Sequence, residues 1–307
     1  MAATETFRRP LRVRLAQYGR IVHVTAGAEF KLKYSGSALG YVWSVLKPLG
    51  LFGMLYVVFG KFMKLGNFPH YPIYLLIGIV IWTFFADASS QCMYSLVGRG
   101  NLISKLAFPR LIIPLSVSVT TAITLGVNLI AVAFFIAANR VVPRLEWLVI
   151  LPLLLELFIV TLGVGLILGP LFVRLRDVSQ VWDLVLQLMF YASPIIYPAG
   201  FLPPWWKPIA FASPFVQIIE DARAVVLPGT PVDTPTSIYG TPWGYAYPLA
   251  VGFAICFFGY LFFRREAPYI VERLLCVHRR SRSITSARRS AFLTRAGTRS
   301  RSISCTR

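Results

Sequence analysis

The chain has 307 residues, 56% of them hydrophobic and only 14% charged, and its mean hydropathy is +0.66. No soluble domain of this length needs so much apolar surface, so the composition excludes an ordinary globular enzyme and makes lipid the solvent for most side chains. The net charge of +19 does not call for a nucleic acid, because much of it is concentrated in one C-terminal stretch.

The first element lies in a basic segment, 1–37. Leu11, Leu15, Tyr18 and Val22 recur at helical spacing while Arg12, Arg14 and Arg20 supply charge with no acid between them. This predicts an amphipathic helix on an anionic cytoplasmic leaflet, with a basic leader that only enforces topology as the alternative. Apolar runs then predict spans at Ala38 to Phe59, Pro72 to Val97, Leu111 to Ala138, Leu148 to Val173, Val181 to Tyr197 and Tyr245 to Phe263, near the ~20 residues that cross a ~30 Å hydrocarbon core. No strongly apolar run precedes Ala38, so the first span is expected to act as its own insertion signal.

With the N-terminus inside, segments 1–37, 98–110, 174–180 and 264–307 hold 24 of the 31 Lys and Arg residues, against six in the outer loops. The expected fold is therefore an all-α integral membrane protein of about six transmembrane helices, with both termini cytoplasmic. Its membrane domain covers 38–263 and a basic cytoplasmic tail covers 264–307. Between the fifth and sixth spans, Pro198 to Gly244 is rich in Pro, Gly and aromatics, and its stretch PWWKPIAFASPFVQII is too broken by proline to span. Short re-entrant outer helices are expected there. After about residue 274 the Arg/Ser-rich tail has no acid and no apolar period, and disorder is expected.

Several chemistries have no residues to carry them. No GxxxxGK[ST] phosphate cradle occurs, so energy must come from a partner or a gradient. His23, His70 and His278 are far apart, and Cys92, Cys256, Cys276 and Cys305 form no CxxC pair, so neither hydrolysis nor a metal site is supported. The ionisable residues within or beside spans are Lys47, Asp87, Glu156 and Asp183, each of which raises a functional question in a bilayer.

The segment KLKYSGSALGYVWSVLKPL, residues 31–49, contains the order LGxxWxxLxPL, followed by VFG at 58–60, NLISKLAFPRLIIPL at 101–115, RLRDV at 174–178, SPIIYP at 193–198 and FFRREAPYIVERL at 262–274. In this order the chain resembles the permease subunits of ABC-2 type exporters of O-antigen, capsular and teichoic acid polymers. It departs from them at Ser213-Pro214, where Asn-Pro is frequent, and in its extra tail. The resemblance implies a channel-forming permease in a bacterial inner membrane, not an enzyme. It implies a second copy of the chain, two ABC ATPase subunits that bind ATP and Mg, no cofactor in this chain, and a lipid-linked polysaccharide as cargo.

On that analogy Gly98 to Arg110 couples to the ATPase, with Leu102, Leu106 and Phe108 filling an apolar cleft and Arg99, Lys105 and Arg110 meeting acids. An ordinary basic inner loop is the alternative. Phe52, Tyr56 and Phe59 share one face of the first span, and Trp82 and Phe85 one face of the second. Such rings either line a channel on which sugars stack or pack in the core. Trp205 and Trp206 belong to an outer gate or an interfacial belt. Arg174 and Arg176 greet a linker phosphate or merely enforce topology. An ABC-2 exporter of a drug or small lipid, a gradient-driven secondary transporter and a non-transporting membrane anchor are the rival readings.

Overall fold

The computed structural model describes residues 11–34, 42–64, 68–98 and 111–267 apart from 228, 231 and 242. Among these, every regular element is helical. In chain order they are α1 (Leu11–Tyr34), α2 (Val42–Leu55, continued by a π-helical stretch Tyr56–Phe62), α3 (Tyr71–Gly98), α4 (Ile112–Ala138), a 3-10 turn (Leu145–Val149), α5 (Ile150–Arg174) and α6 (Val178–Ala192). The short helices α7 (Lys207–Phe211), α8 (Pro214–Val226) and α9 (Pro235–Tyr239) follow, and then α10 (Ala246–Ala267). Helix is what lipid demands, because a chain without water must satisfy its own backbone groups.

The apolar runs become helices where expected, and among the described residues five of them are long and apolar enough to cross a membrane unaided. Of these α3 is the central one, most of its surface enclosed by α4 and α5. Its hydroxyls and those of its neighbours fold back onto their own helices, as Thr83 does to Ile79 O at 2.9 Å and Thr161 to Leu157 O at 2.7 Å, leaving outer faces apolar. The helix α1 exists as expected but rests on protein: Val22 and Ala26 are buried, Thr120 Oγ1 donates to Ala26 O at 3.3 Å, and Ser116 Oγ donates to Glu29 Oε1 at 3.3 Å. Its inner face is thus carried by α4.

Two backbones touch where α10 crosses α5. A Cβ on Gly163 would fall 2.8 Å from Cys256 Cα, and one on Gly259 would collide with the Gly163 carbonyl. Small residues permit this approach, from which packing in membranes draws its attraction. Because backbone cannot yield as a side chain can, Gly259→Leu is expected to cost at least about 1–3 kcal/mol. Thermal unfolding of detergent-purified variants checks this, with Gly259→Ala falling between Leu and the parent.

The fifth span, expected at Val181 to Tyr197, is built differently. Helix α6 has 15 residues, which rise only about 22 Å. Beyond it the chain is non-helical: Ser193 to Pro198 continue alongside the first two turns of α3, where Tyr71 Oη donates to Ile196 O at 3.0 Å and Tyr74 Oη reaches Tyr197 O at 3.4 Å. Ser193-Pro194 stops the helix, since proline removes a donor and disfavours helix in the residue before it. The short helices α7, α8 and α9 fill the outer segment as expected from its prolines, and α8 is buried along most of its length.

Candidate functional site: a polar groove and its buried support

Polar side chains recur at helical spacing on three neighbouring helices: Trp43, Ser44 and Lys47 on α2, Thr83, Asp87 and Gln91 on α3, and Thr121, Thr124 and Asn128 on α4. Steps of three and four residues stack each set on one face. The three faces converge on a groove of about 190 Å3. Lys47 Nζ lies 3.8 Å from Asp87 Oδ1, and both side chains remain well exposed, so the pair is loose and its charges are free to meet a ligand. Asn128 is buried, and its Oδ1 accepts no hydrogen bond among the described residues.

A carboxylate, an ammonium, amides and hydroxyls in one cleft, with the half-exposed Trp43 at its edge, suit a ligand that both donates and accepts hydrogen bonds and offers an apolar face to a ring. Sugars have this character. The volume is below the ~300–1,000 Å3 of sites that enclose a drug-sized ligand. Among the described residues no cluster of His, Cys, Asp and Glu is arranged to hold a metal.

Farther along α3, beside Tyr74 and Gly78, lies a buried ion pair. Arg223 on α8 is fully enclosed: its Nη1 donates to Glu220 Oε1 at 2.7 Å and to Pro194 O at 2.6 Å, its Nη2 to Ile195 O at 2.7 Å, and its Nε to Tyr74 O at 3.1 Å. The guanidinium carbon sits 3.6 Å from the Tyr74 ring centroid. One planar fork thereby satisfies the carbonyls left free where α6 unwinds. Gly78 makes room, because a Cβ there would collide with Arg223 Nη2. Sequence reading counted Arg223 only as an outer-loop charge. Its signal was Glu220-Asp221-Ala222-Arg223 inside an otherwise apolar amphipathic stretch.

Next to it, Asp221 accepts from Gln217 Nε2 at 2.7 Å and from Tyr245 Oη at 3.3 Å. Burial pushes its carboxyl from 3.8 up to about 6, against these two hydrogen bonds. A raised folded-state value favours the neutral form, so this contribution to stability is complete below about 3.8 and is lost as pH rises through about 6. Asp221→Asn is therefore expected to flatten the fall in melting temperature across that window, measured by thermal unfolding at a series of pH values.

The residues singled out by sequence are distributed as follows. Trp82 and Phe85 are 7% and 3% exposed and pack with Phe215, Phe190 and Trp182, and Phe52 is buried against Phe135. Three of the five rings expected to face a channel are thus enclosed by the chain's own helices; Tyr56 and Phe59 are half-buried. Trp205 is exposed and meets Trp206 edge-on at 5.6 Å. Arg174 lies 3.9 Å from Glu266, and Arg176 stands 5.3 Å from the Phe172 ring. Glu156 borders α8 and α10, away from Lys47 and Asp87, and Asp183 is exposed on α6. Arg99, Leu102, Lys105, Leu106, Phe108 and Arg110 lie outside the described residues.

Residues 22–227 match the model of the ABC-2 type transporter family. An O-antigen export system permease protein RfbA of Klebsiella pneumoniae is 30% identical over 208 residues, which are 67% of this chain and 80% of the relative. An RfbA of Myxococcus xanthus is 27% identical over 60% of this chain and 70% of its own. The polysialic acid transport protein KpsM of Escherichia coli is 24% identical over 66% and 79%. The matched span contains both the groove and Arg223.

Proposed function

The chain belongs to the ABC-2 type transporter family, and from that premise we propose that it is the permease subunit of an ATP-driven exporter that moves a lipid-linked polysaccharide of the O-antigen or capsule type across a bacterial inner membrane. The observation that carries the reading is the groove: hydroxyl, amide and charged side chains beside Trp43 within a membrane domain serve a hydrated chain of sugars and not a small apolar lipid. Contacts of this kind are individually weak, which conduction requires. Little of α2 and α10 is buried within one chain, leaving faces for lipid and for the second copy with which the channel is completed.

ATP and Mg reside on two ATPase subunits, docked at Gly98 to Arg110. Charge reversal at Lys105 and Arg110 is expected to lower export several-fold while membrane insertion is kept, since both lie between apolar runs and not within one. ATPase activity measured beside export separates uncoupling from loss of protein, and normal export removes the assignment. The decisive experiment deletes this chain in a host that carries its ATPase. Lipid-linked polymer accumulating in the cytoplasm, and cleared only when both proteins are restored, is the expected result. An unchanged surface polymer would refute the polysaccharide cargo.

A further inference from the structure

A second cavity, of about 220 Å3, lies in the outer half of the bundle between α3, α4, α5 and α8, and its lining is apolar throughout. Ile77, Leu129, Ile136, Leu154, Ile218 and Val226 contribute to its wall. Water finds no partner in such a space, and if nothing fills it the lining side chains forfeit their dispersion contacts. Trp147, in the 3-10 turn before α5, closes one end with the apolar part of its ring, its indole N–H turned out of reach of the cavity.

The loop leading into that turn carries Arg140 and Arg144, both exposed and neither in an ion pair among the described residues. Glu146 is the turn's one acid, so the rim is net positive. Backbone hydrogen bonds from Trp147 N to Arg144 O at 3.1 Å and from Val141 N to Ile136 O at 3.3 Å tie this loop to two of the residues that line the cavity. The topology rule places basic residues on the inner side, and this short loop is an outer one. Orientation therefore does not account for these two arginines.

We propose that the cavity holds one acyl chain of an outer-leaflet phospholipid whose phosphate meets Arg140 and Arg144. Guanidinium and phosphate pair bidentately, and the loop that carries the two arginines is tied by backbone hydrogen bonds to Trp147 and Ile136 of the cavity wall. The occupant is a resident lipid and not the carrier of the cargo, because about 220 Å3 takes only part of a single chain. The inference is independent of the exported polymer.

The test uses the full chain in nanodiscs of phosphatidylethanolamine and phosphatidylglycerol, without ATPase or cargo. Native mass spectrometry after transfer to detergent is expected to find one retained phospholipid, with phosphatidylglycerol preferred. Ala133→Phe, which fills the cavity from an exposed lining position, is expected to reduce retention about tenfold. Arg140→Ser with Arg144→Ser is expected to abolish the preference for phosphatidylglycerol. Chain-brominated phosphatidylglycerol is expected to quench a fluorescence component that Trp147→Phe removes, a readout that needs no change in the cavity wall. No retained lipid, equal retention in Ala133→Phe, or displacement by a polyprenyl phosphate but not by phosphatidylglycerol would overturn the proposal.

Discussion

Arg223→Met is expected to destabilise the protein by about 3–5 kcal/mol, the usual cost of breaking a buried pair from one side. The substitution removes the fork that serves Tyr74 O, Pro194 O and Ile195 O, and it strips Glu220 of its charged partner. Burial already pushes the Glu220 carboxyl up, against the lowering influence of Arg223, so the variant relieves part of the charge by taking up a proton. The carbonyls have no such escape. Arg223→Met with Glu220→Gln is therefore expected to recover only part of the loss, and Arg223→Lys to fail as well, because a single ammonium cannot reproduce the planar fork. Melting temperatures in detergent read this directly. Parent-like stability in Arg223→Lys would show that charge alone suffices.

Asn128→Leu with Thr121→Val is expected to slow export by on the order of tenfold, taking each lost hydrogen bond to cargo as ~1 kcal/mol or less. Stability should move the other way or not at all. Asn128 Oδ1 is a buried acceptor without a donor among the described residues, so an apolar replacement removes a cost, while the Thr121 hydroxyl returns its proton to Val117 O and Ser118 O within its own helix. A fall in export with undiminished melting temperature separates a groove that handles cargo from one that merely packs. Export at the parent rate would leave the groove without a part in transport.

Much of this architecture is legible in the sequence because lipid imposes simple rules. Five of the six apolar runs became long helices among the described residues, and Lys47 and Asp87, conspicuous as charges among apolar residues, came together in the groove. Thr121, Thr124 and Asn128 carried the same information in their spacing, but hydroxyls in a membrane helix have a second occupation, bonding back to their own carbonyls, and periodicity does not distinguish the two. The aromatic faces were ambiguous for a related reason: Trp82 and Phe85 have the right spacing to line a channel and also to fill a core, and only the positions of Phe190, Trp182 and Phe215 decide it. Arg223 was hidden by a charge count that weighs every basic residue alike.

The helix α6 is too short to cross unaided, and this bears on biosynthesis. When it leaves the ribosome the segment Val178 to Pro198 offers the insertion machinery 15 helical residues followed by a proline-rich stretch, while Arg223, about 25–45 residues further along the chain, has not yet emerged. Its free carbonyls must then be tended by water or by the machinery itself, since lipid offers them nothing. The fifth crossing is completed only when α8 arrives from the outer side and Arg223 slides in over Gly78. Insertion of this protein is thus not a series of independent decisions made helix by helix. One crossing stays provisional until a later part of the chain ratifies it, and defects in α8 should surface as nascent chains degraded with the fifth segment still unsettled.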